Sequence, residues 1–328
     1  MTTVAIRSTQ KSTNVRGRLA WPRRLVGALA RIAPGATAAV AERLFFTPPR
    51  PHPSRGERAL AGAHRADVQV DGRRIAAWRW GEGPVVVLVH GWGGRAGQLT
   101  SFVEPLTSRG FAVVAFDAPG HGRSGRGLSS APQFARALQA VARSQAGAHA
   151  IVAHSLGAAA VALALRDGLR VERVVFLGAA ADPPAWVGAF ARRLGLPDGV
   201  VDRLRARSER RLGISWSELH VPRLAASFEV PLLIVHDRDD REVAPEDATE
   251  IAAAWRGARV VETAGLGHNR PLRDAGVVRG VVEFVTGGSV ATCACGAPAA
   301  EAGSCEPCRL EAELFDPAGR WEALANRG

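Results

Sequence analysis

Ile-Val-Ala-His-Ser-Leu-Gly, residues 151–157, is the stretch of this sequence that decides the fold. A run typical of a buried strand leads into Ser155, and the small and apolar residues after it are typical of a helix. A serine on such a sharp turn is crowded by the residues two before and two after it. Ala153 and Gly157 are both small enough. The stretch therefore predicts a nucleophilic Ser155, although serine is also a common residue at the start of a helix.

Short apolar runs on both sides of this stretch extend the same pattern. Several are continuous Val, Ile and Leu, as in strands buried on both faces of a parallel sheet. The predicted strands are Val68 to Val70, Arg74 to Trp80, Val85 to His90, Ala112 to Asp117, His149 to His154, Arg173 to Leu177, Pro231 to His236 and Arg259 to Glu262. Helical stretches lie between them, among them Pro132 to Gln145, Leu156 to Arg166, Pro245 to Trp255 and Ala275 to Val285. This alternation predicts an α/β fold with a doubly wound, mostly parallel sheet.

One segment, residues 182–228, interrupts the alternation. It contains no clear strand, eight arginines and scattered apolar residues. A structureless loop of that size is unusual in a compact domain. We therefore expect this segment to be a helical insertion.

A glycine-rich run, His-Gly-Trp-Gly-Gly at residues 90–94, follows one of the predicted strands. A nucleophilic serine needs backbone N–H donors for the oxyanion of its tetrahedral intermediate. We expect these donors to be Leu156, directly after the serine, and Trp92 in the glycine-rich run, since glycines allow a loop to approach closely. The alternative is a glycine-rich turn without chemistry. Residues 116–125 also read as a tight turn, in which we expect His121 to be structural.

The serine also needs a base, and three histidines lie downstream of it. His268 follows the last predicted strand in a glycine-rich loop, from which its imidazole can reach over the edge of the sheet. His220 lies in the insertion, and His236 ends a strand. His268 is therefore the favoured base.

The acid that orients the base is expected near the carboxyl end of a strand. The strand that begins at Pro231 is followed by three aspartates, Asp237, Asp239 and Asp240. The order serine, aspartate, histidine is one that enzymes with a nucleophilic serine on a strand-to-helix turn use. Position alone does not choose among the three carboxylates.

Together these motifs resemble the α/β-hydrolase superfamily in its esterase-like branch, over about residues 66–285. In that family the strand before the acid commonly runs into His-Gly-x-x-Asp-x-x-Val. His236 and Val243 match the ends of this pattern, and Asp240 takes the position of the acid. Asp237 replaces the glycine, so Asp237 and Asp239 stay as alternatives.

The resemblance implies a function as well as a fold. Its catalytic residues would be Ser155, Asp240 and His268, with the N–H groups of Trp92 and Leu156 as the oxyanion hole and residues 182–228 as a lid. The implied reaction is hydrolysis of carboxylic esters or thioesters, with a small-molecule acyl substrate and no catalytic cofactor. The alternative is a non-catalytic binding or interaction protein of the same fold, because fold alone does not determine function.

The N-terminal extension, residues 1–58, carries most of the chain's net charge of +11. It contains eleven basic residues and two acidic ones, and six prolines. Its apolar residues Leu25, Val26, Leu29 and Ile32 share one face of a helix. We favour packing of this helix on the following domain; the alternative is a peripheral contact with a membrane or a protein.

Other features of the composition limit the partners and the compartment. Few aromatic residues are interleaved with the basic cluster, so we expect no nucleic-acid partner. Arg31 and Pro34 interrupt the apolar stretch that a secretory leader would need. No uninterrupted apolar run approaches the roughly 18 residues that cross a bilayer. We expect a soluble, cytoplasmic protein.

All four cysteines lie in the C-terminal segment, residues 291–328, beyond a hydrolase domain predicted over residues 59–290. They form two close pairs, Cys293 with Cys295 and Cys305 with Cys308. Four thiolates in two close pairs suit a structural zinc ion. Two disulfides are the alternative, less suited to a cytoplasmic protein.

Overall fold

The computed structural model describes residues 23–49, 60 and 62–287. The rest of the N-terminal extension and the four-cysteine segment lie outside the described residues. Within the described residues, no helix is long and apolar enough to cross a membrane.

The centre of the molecule is a sheet of eight strands in the order β1-β4-β6-β5-β7-β8-β9-β10. Strands β1 and β4 are antiparallel to their neighbours, and the six strands from β6 to β10 are parallel. The described strands are β1 (His64–Arg65), β2 (Val68–Val70), β3 (Arg73–Ile75), β4 (Ala77–Trp80), β5 (Val85–Val89), β6 (Ala112–Phe116), β7 (Ala150–His154), β8 (Arg173–Leu177), β9 (Leu232–Asp237) and β10 (Arg259–Thr263). The predicted α/β fold with a mostly parallel sheet is confirmed.

Helices cover both faces of this sheet. They are α1 (Arg23–Ile32), α2 (Pro34–Phe45), α3 (Val103–Thr107), α4 (Ala131–Ser144), α5 (Leu156–Arg166), α6 (Trp186–Leu194), α7 (Asp198–Leu212), α8 (Val221–Ala225), α9 (Glu246–Ala254) and α10 (Ala275–Val285). Alternate residues of each central strand belong to two different apolar cores; in β5, for example, Val87 packs with α4 and α5, and Leu88 packs with α10. Burial on both faces explains why these strands are continuous apolar runs.

The predicted strand from Arg74 to Trp80 is wrong in its extent. It is divided at Ala76 into β3, which pairs with β2 in a separate two-stranded sheet, and β4, which joins the main sheet. The backbone of Ala76 bonds instead to residues outside both sheets. Its N–H donates to Ser124 Oγ at 2.8 Å, and its carbonyl accepts from Asp117 N–H at 2.8 Å.

The segment between β8 and β9 folds as helices α6, α7 and α8. Helix α7 packs on α2 of the N-terminal extension. Glu42 of α2 is only 5% exposed, and its carboxylate accepts hydrogen bonds from Arg207 at 3.1 Å and Arg211 at 2.7 Å. The extension is thereby joined to the insertion by ion pairs between one buried carboxylate and two partly exposed arginines.

Helix α1 differs from the sequence-based expectation in the face that it buries. Ala30 packs against Ala38 and Val200, whereas Leu29 is 49% and Ile32 is 84% exposed. The small side chain allows close packing against α2 and α7. Part of the apolar face expected to pack on the domain is therefore open.

Candidate active site

Ser155 lies on the turn between β7 and α5, and its backbone adopts φ 53° and ψ −121°. This is a left-handed conformation that residues other than glycine rarely adopt. The turn is crowded, because a Cβ atom added to Gly157 would lie 3.0 Å from the carbonyl oxygens of Val89 and His90. A Cβ atom on Gly91 would lie 2.8 Å from Ser155 Cβ. These glycines let the loop after β5 approach the serine.

His268 and Asp240 form the pair that the sequence favoured. His268 Nδ1–H donates to Asp240 Oδ2 at 2.7 Å, and both side chains are buried. Ser155 and His268 line one cavity of about 320 Å3 at the carboxyl edge of the parallel strands. The structure thus brings two of the predicted catalytic residues, Ser155 and His268, to one cavity, and it places the third, Asp240, in contact with His268.

Asp240 is held as a carboxylate by its neighbours. Burial alone would raise its pKa, but hydrogen bonds from His236, His268 and the N–H groups of Val243 and Glu242 outweigh burial. The pKa of Asp240 therefore lies well below its usual range. The two N–H groups bond Oδ1 at 3.0 and 2.8 Å, and Oδ2 faces the imidazoles of His268 at 2.7 Å and of His236 at 3.5 Å.

The alternative acids bind the backbone of the loop that carries His268. Asp237 accepts the N–H groups of Leu266 and Gly267 at 3.0 and 2.8 Å, and Asp239 accepts that of Gly265 at 2.7 Å. These hydrogen bonds outweigh burial and lower the pKa of Asp237. Both carboxylates support the loop, while Asp240 contacts the imidazole itself.

The two alternative bases, His220 and His236, do not line the cavity of Ser155. His220 pairs with Glu250 at 3.1 Å, beside a separate surface cavity. His236 contacts Asp240, with Nε2 3.5 Å from Asp240 Oδ2 and 3.3 Å from the carbonyl oxygen of Val243.

The backbone N–H groups of Trp92 and Leu156 have no hydrogen-bond acceptor among the described residues. Both residues lie next to Ser155, Trp92 in its cavity and Leu156 in the chain. Two histidines shape the loop of Trp92. His121 Nε2 accepts from Gly93 N–H at 3.1 Å, as expected for a structural residue, and His90 Nδ1–H donates to the carbonyl of Gly91 at 2.7 Å.

His154 is a site residue that the sequence reasoning missed. Its Nε2–H donates to the backbone carbonyl of His268 at 3.0 Å, and the two rings lie 4.5 Å apart. Burial, reinforced by the nearby His268, lowers the pKa of His154 to about 3. His154 ends β7 and lines the cavity beside Ser155, so its position next to Ser155 in the sequence was the available signal.

In the part of the chain that the structure describes, no group of three or more His, Cys, Asp or Glu residues is arranged to hold a metal ion. Cys293, Cys295, Cys305 and Cys308 lie outside that part. The predicted zinc site therefore stays a prediction.

A serine on a strained strand-to-helix turn, at the carboxyl edge of a mostly parallel sheet and beside a histidine held by an aspartate, defines the α/β-hydrolase class. Comparison with known families gives the same result, because a profile described as the alpha/beta hydrolase family matches residues 86–280. The chain belongs to that family.

Known relatives are similar in sequence to part of this chain. A non-heme haloperoxidase of Rhodococcus erythropolis is 34% identical over 140 residues, which are 41% of this chain and 50% of that protein. A pimeloyl-[acyl-carrier protein] methyl ester esterase of Nitrosomonas europaea is 34% identical over 124 residues, 37% of this chain and 45% of that protein. The matches span half or less of these relatives.

Solved structures show the same fold at low identity. An esterase from Exiguobacterium antarcticum superposes with a TM-score of 0.54 at 18% identity and covers 68% of this chain and 100% of its own. An esterase from Thermogutta terrifontis gives a TM-score of 0.54 at 18% identity, covering 69% and 99%.

Proposed function

We propose that this protein is a serine hydrolase that cleaves carboxylic esters or thioesters through an acyl-enzyme on Ser155. The observation that carries the proposal is the shared cavity of Ser155 and His268, with His268 bonded to Asp240 at 2.7 Å. A carboxylate on Nδ1 selects the tautomer whose Nε2 accepts a proton. The relative from Nitrosomonas europaea, named as a pimeloyl-[acyl-carrier protein] methyl ester esterase, supports the ester as substrate class.

The proposed reaction proceeds in two halves. His268 Nε2 removes the Ser155 proton while the oxygen attacks the acyl carbon, and the N–H groups of Trp92 and Leu156 bind the oxyanion, worth about 3 kcal/mol per donor. His268 then gives the proton to the leaving alcohol or thiol. Water, activated by the same imidazole, releases the acid. Asp240 stays ionised throughout, in keeping with its low pKa.

Helices α6 to α8 have the role of a lid in this proposal. Trp186, at the start of α6, lines the cavity of Ser155. The insertion thereby forms one wall of the reaction site and keeps water from part of it.

A fluorophosphonate probe tests the proposal directly. We expect the probe to label the wild-type protein and Ser227→Ala, in which an exposed serine that does not line the cavity is replaced. Ser155→Ala should neither be labelled nor hydrolyse p-nitrophenyl acetate, while it keeps its circular dichroism spectrum. Equal turnover by the wild-type protein and Ser155→Ala would contradict the proposal and favour a non-catalytic binding protein.

A further inference from the structure

We infer that the site takes esters or thioesters with an apolar acyl group and a small or polar leaving group, and that helix α2 closes the acyl cavity. This inference rests on the proposed function. It adds a specificity-determining element that lies outside residues 86–280, the part of the chain that matches the family.

A second cavity, of about 460 Å3, lies next to that of Ser155. The two cavities share Trp92 and Trp186 as wall residues. Most residues that line the larger cavity are apolar, and its aromatic wall residues are Phe45, Phe46, Trp92, Trp186, Phe190 and Trp216. Its size and lining are those of a small-molecule site.

The positions of the catalytic groups decide which half of the substrate enters this cavity. Trp92 and Leu156, whose N–H groups would bind the carbonyl oxygen, line the larger cavity, whereas His268 lines only the smaller one. Because His268 must protonate the leaving group, that half of the ester lies on its side. The acyl group, on the other side of the carbonyl, extends into the larger cavity.

The smaller cavity has a different chemical character. Beside the catalytic residues it is lined by the polar side chains of Gln98, Glu242 and Asn269. These groups would lose hydrogen bonds to water if an apolar chain covered them. A small or polar leaving group is therefore the better match.

Helix α2 and the residues after it supply one wall of the larger cavity. Phe45 packs edge-on against Phe190 of α6, with ring centroids 5.1 Å apart, and lies 6.4 Å from Trp216. Phe46 is anchored on both sides, because its carbonyl accepts from Ser129 N–H at 2.8 Å and Arg211 lies 4.7 Å above its ring. The wall is held to the insertion and to the main domain.

The test is a pair of ester series on the full-length protein. We expect kcat/KM for p-nitrophenyl esters to rise about fourfold per added acyl CH2 from acetate to hexanoate, the effect of burying one CH2 group. Lengthening the alcohol of acetate esters from methyl to hexyl should change kcat/KM less than about threefold overall. A rise with the alcohol in place of the acyl chain would overturn the inference.

Variants of α2 test the role of the helix. Phe45→Ala should lower the hexanoate-to-acetate ratio of kcat/KM at least about tenfold, because part of the apolar wall is lost. Val40→Ala, on an exposed position of the same helix, should leave the ratio unchanged. If Phe45→Ala fails to fold, Phe45→Leu should give a smaller shift in the same direction. An unchanged ratio in a folded Phe45 variant would overturn the role of α2.

Binding separates this inference from the proposed function. Octanoate should bind the Ser155→Ala protein and change the fluorescence of the cavity tryptophans, and Phe45→Ala should weaken that binding. Octanoate binding without any ester hydrolysis by the wild-type protein would contradict the proposed function but support the acyl cavity. Hydrolysis without chain-length preference and without octanoate binding would overturn the acyl cavity alone.

Discussion

The carboxylates of Asp237 and Asp240, both buried, accept hydrogen bonds from the end of β10 and from the loop that follows it. Asp240 bonds the imidazole of His268, and Asp237 bonds Thr263, Leu266 and Gly267. Asp240→Asn should lower kcat about 10⁴-fold, because the amide favours the wrong imidazole tautomer. Steady-state kinetics of p-nitrophenyl ester hydrolysis would measure this loss of kcat.

The control for Asp240→Asn is the same substitution at the neighbouring acids. Asp237→Asn should cost about 1 to 3 kcal/mol of unfolding free energy, because an NH2 group then faces N–H or O–H donors. Asp239→Asn, near the surface, should cost less. A loss of kcat at Asp237 or Asp239 as large as that at Asp240 would show that the acid has been assigned to the wrong residue.

His90 and His154 make stability depend on pH. Burial lowers the pKa of His90 to about 4 and, with the nearby His268, that of His154 to about 3, whereas the unfolded value is about 6.5. The unfolded chain therefore takes up protons below pH 6.5 that the folded chain does not. Stability is lost as pH falls from 6.5 toward these folded values, by about 1.4 kcal/mol per pH unit for each histidine.

Urea unfolding at pH 7.5 and pH 5 measures this effect. The two histidines should reduce the unfolding free energy by about 4 kcal/mol between these pH values. In His154→Gln that reduction should be about half as large. Asp240 does not contribute in this window, because its lowered pKa affects stability only at more acidic pH. The same loss in wild type and variant would exclude His154 as a source.

At the level of single residues, the sequence predicted the features that depend on spacing and order along the chain. A tight turn at Ser155 requires small residues on both sides of it, and the resemblance of residues 236–243 to the family pattern favoured Asp240 as the acid. It did not predict the support around them, because hydrogen bonds such as that of His154 to the His268 backbone join residues distant in the chain.

Among the elements, α2 and α7 are joined by ion pairs of one carboxylate with two arginines, and these three side chains differ in exposure. Glu42 is buried, Arg211 is 29% exposed and Arg207 is 45% exposed at their side chains. Arg211→Gln should lower the unfolding free energy by about 1 to 3 kcal/mol, because the buried carboxylate loses its closer partner. The exposed Arg210→Gln on the same helix should change it by less than about 0.5 kcal/mol.

Urea denaturation of both variants, with Glu42→Gln and the double variant Glu42→Gln/Arg211→Gln, completes the test. The double variant should be less destabilised than the sum of the single ones, because no unpaired carboxylate is left. Additive losses would show that Glu42 and Arg211 act independently.

The division of the predicted strand at Ala76 is also explained by contacts between parts of the chain that are distant in sequence. Residues 74–80 have the composition of one strand, but Ser124 and Asp117 bond the backbone of Ala76 from a loop. Periodicity within a segment carries no information about such a partner. The central strands were predicted well because burial on both faces leaves a strong local signal.

Across the whole molecule, segments outside the family-matched residues 86–280 add to the hydrolase domain. Helix α2 contributes to the cavity beside Ser155. The predicted catalytic residues Ser155, Asp240 and His268 all precede the cysteine-containing segment in the chain, so substitutions in that segment leave them unchanged. Its effect on stability and its effect on catalysis can therefore be measured separately.

The cysteine cluster, Cys293 to Cys308, spans sixteen residues, too few to build an apolar core of their own. If zinc supplies the missing stability, the purified full-length protein should carry close to one zinc ion per chain, and Cys305→Ser should remove it, whereas Ser304→Ala should not. Because metal binding and folding are coupled in such a segment, chelation should make it sensitive to protease while ester hydrolysis continues. Elemental analysis without zinc, together with four free thiols or two disulfides, would contradict the zinc site.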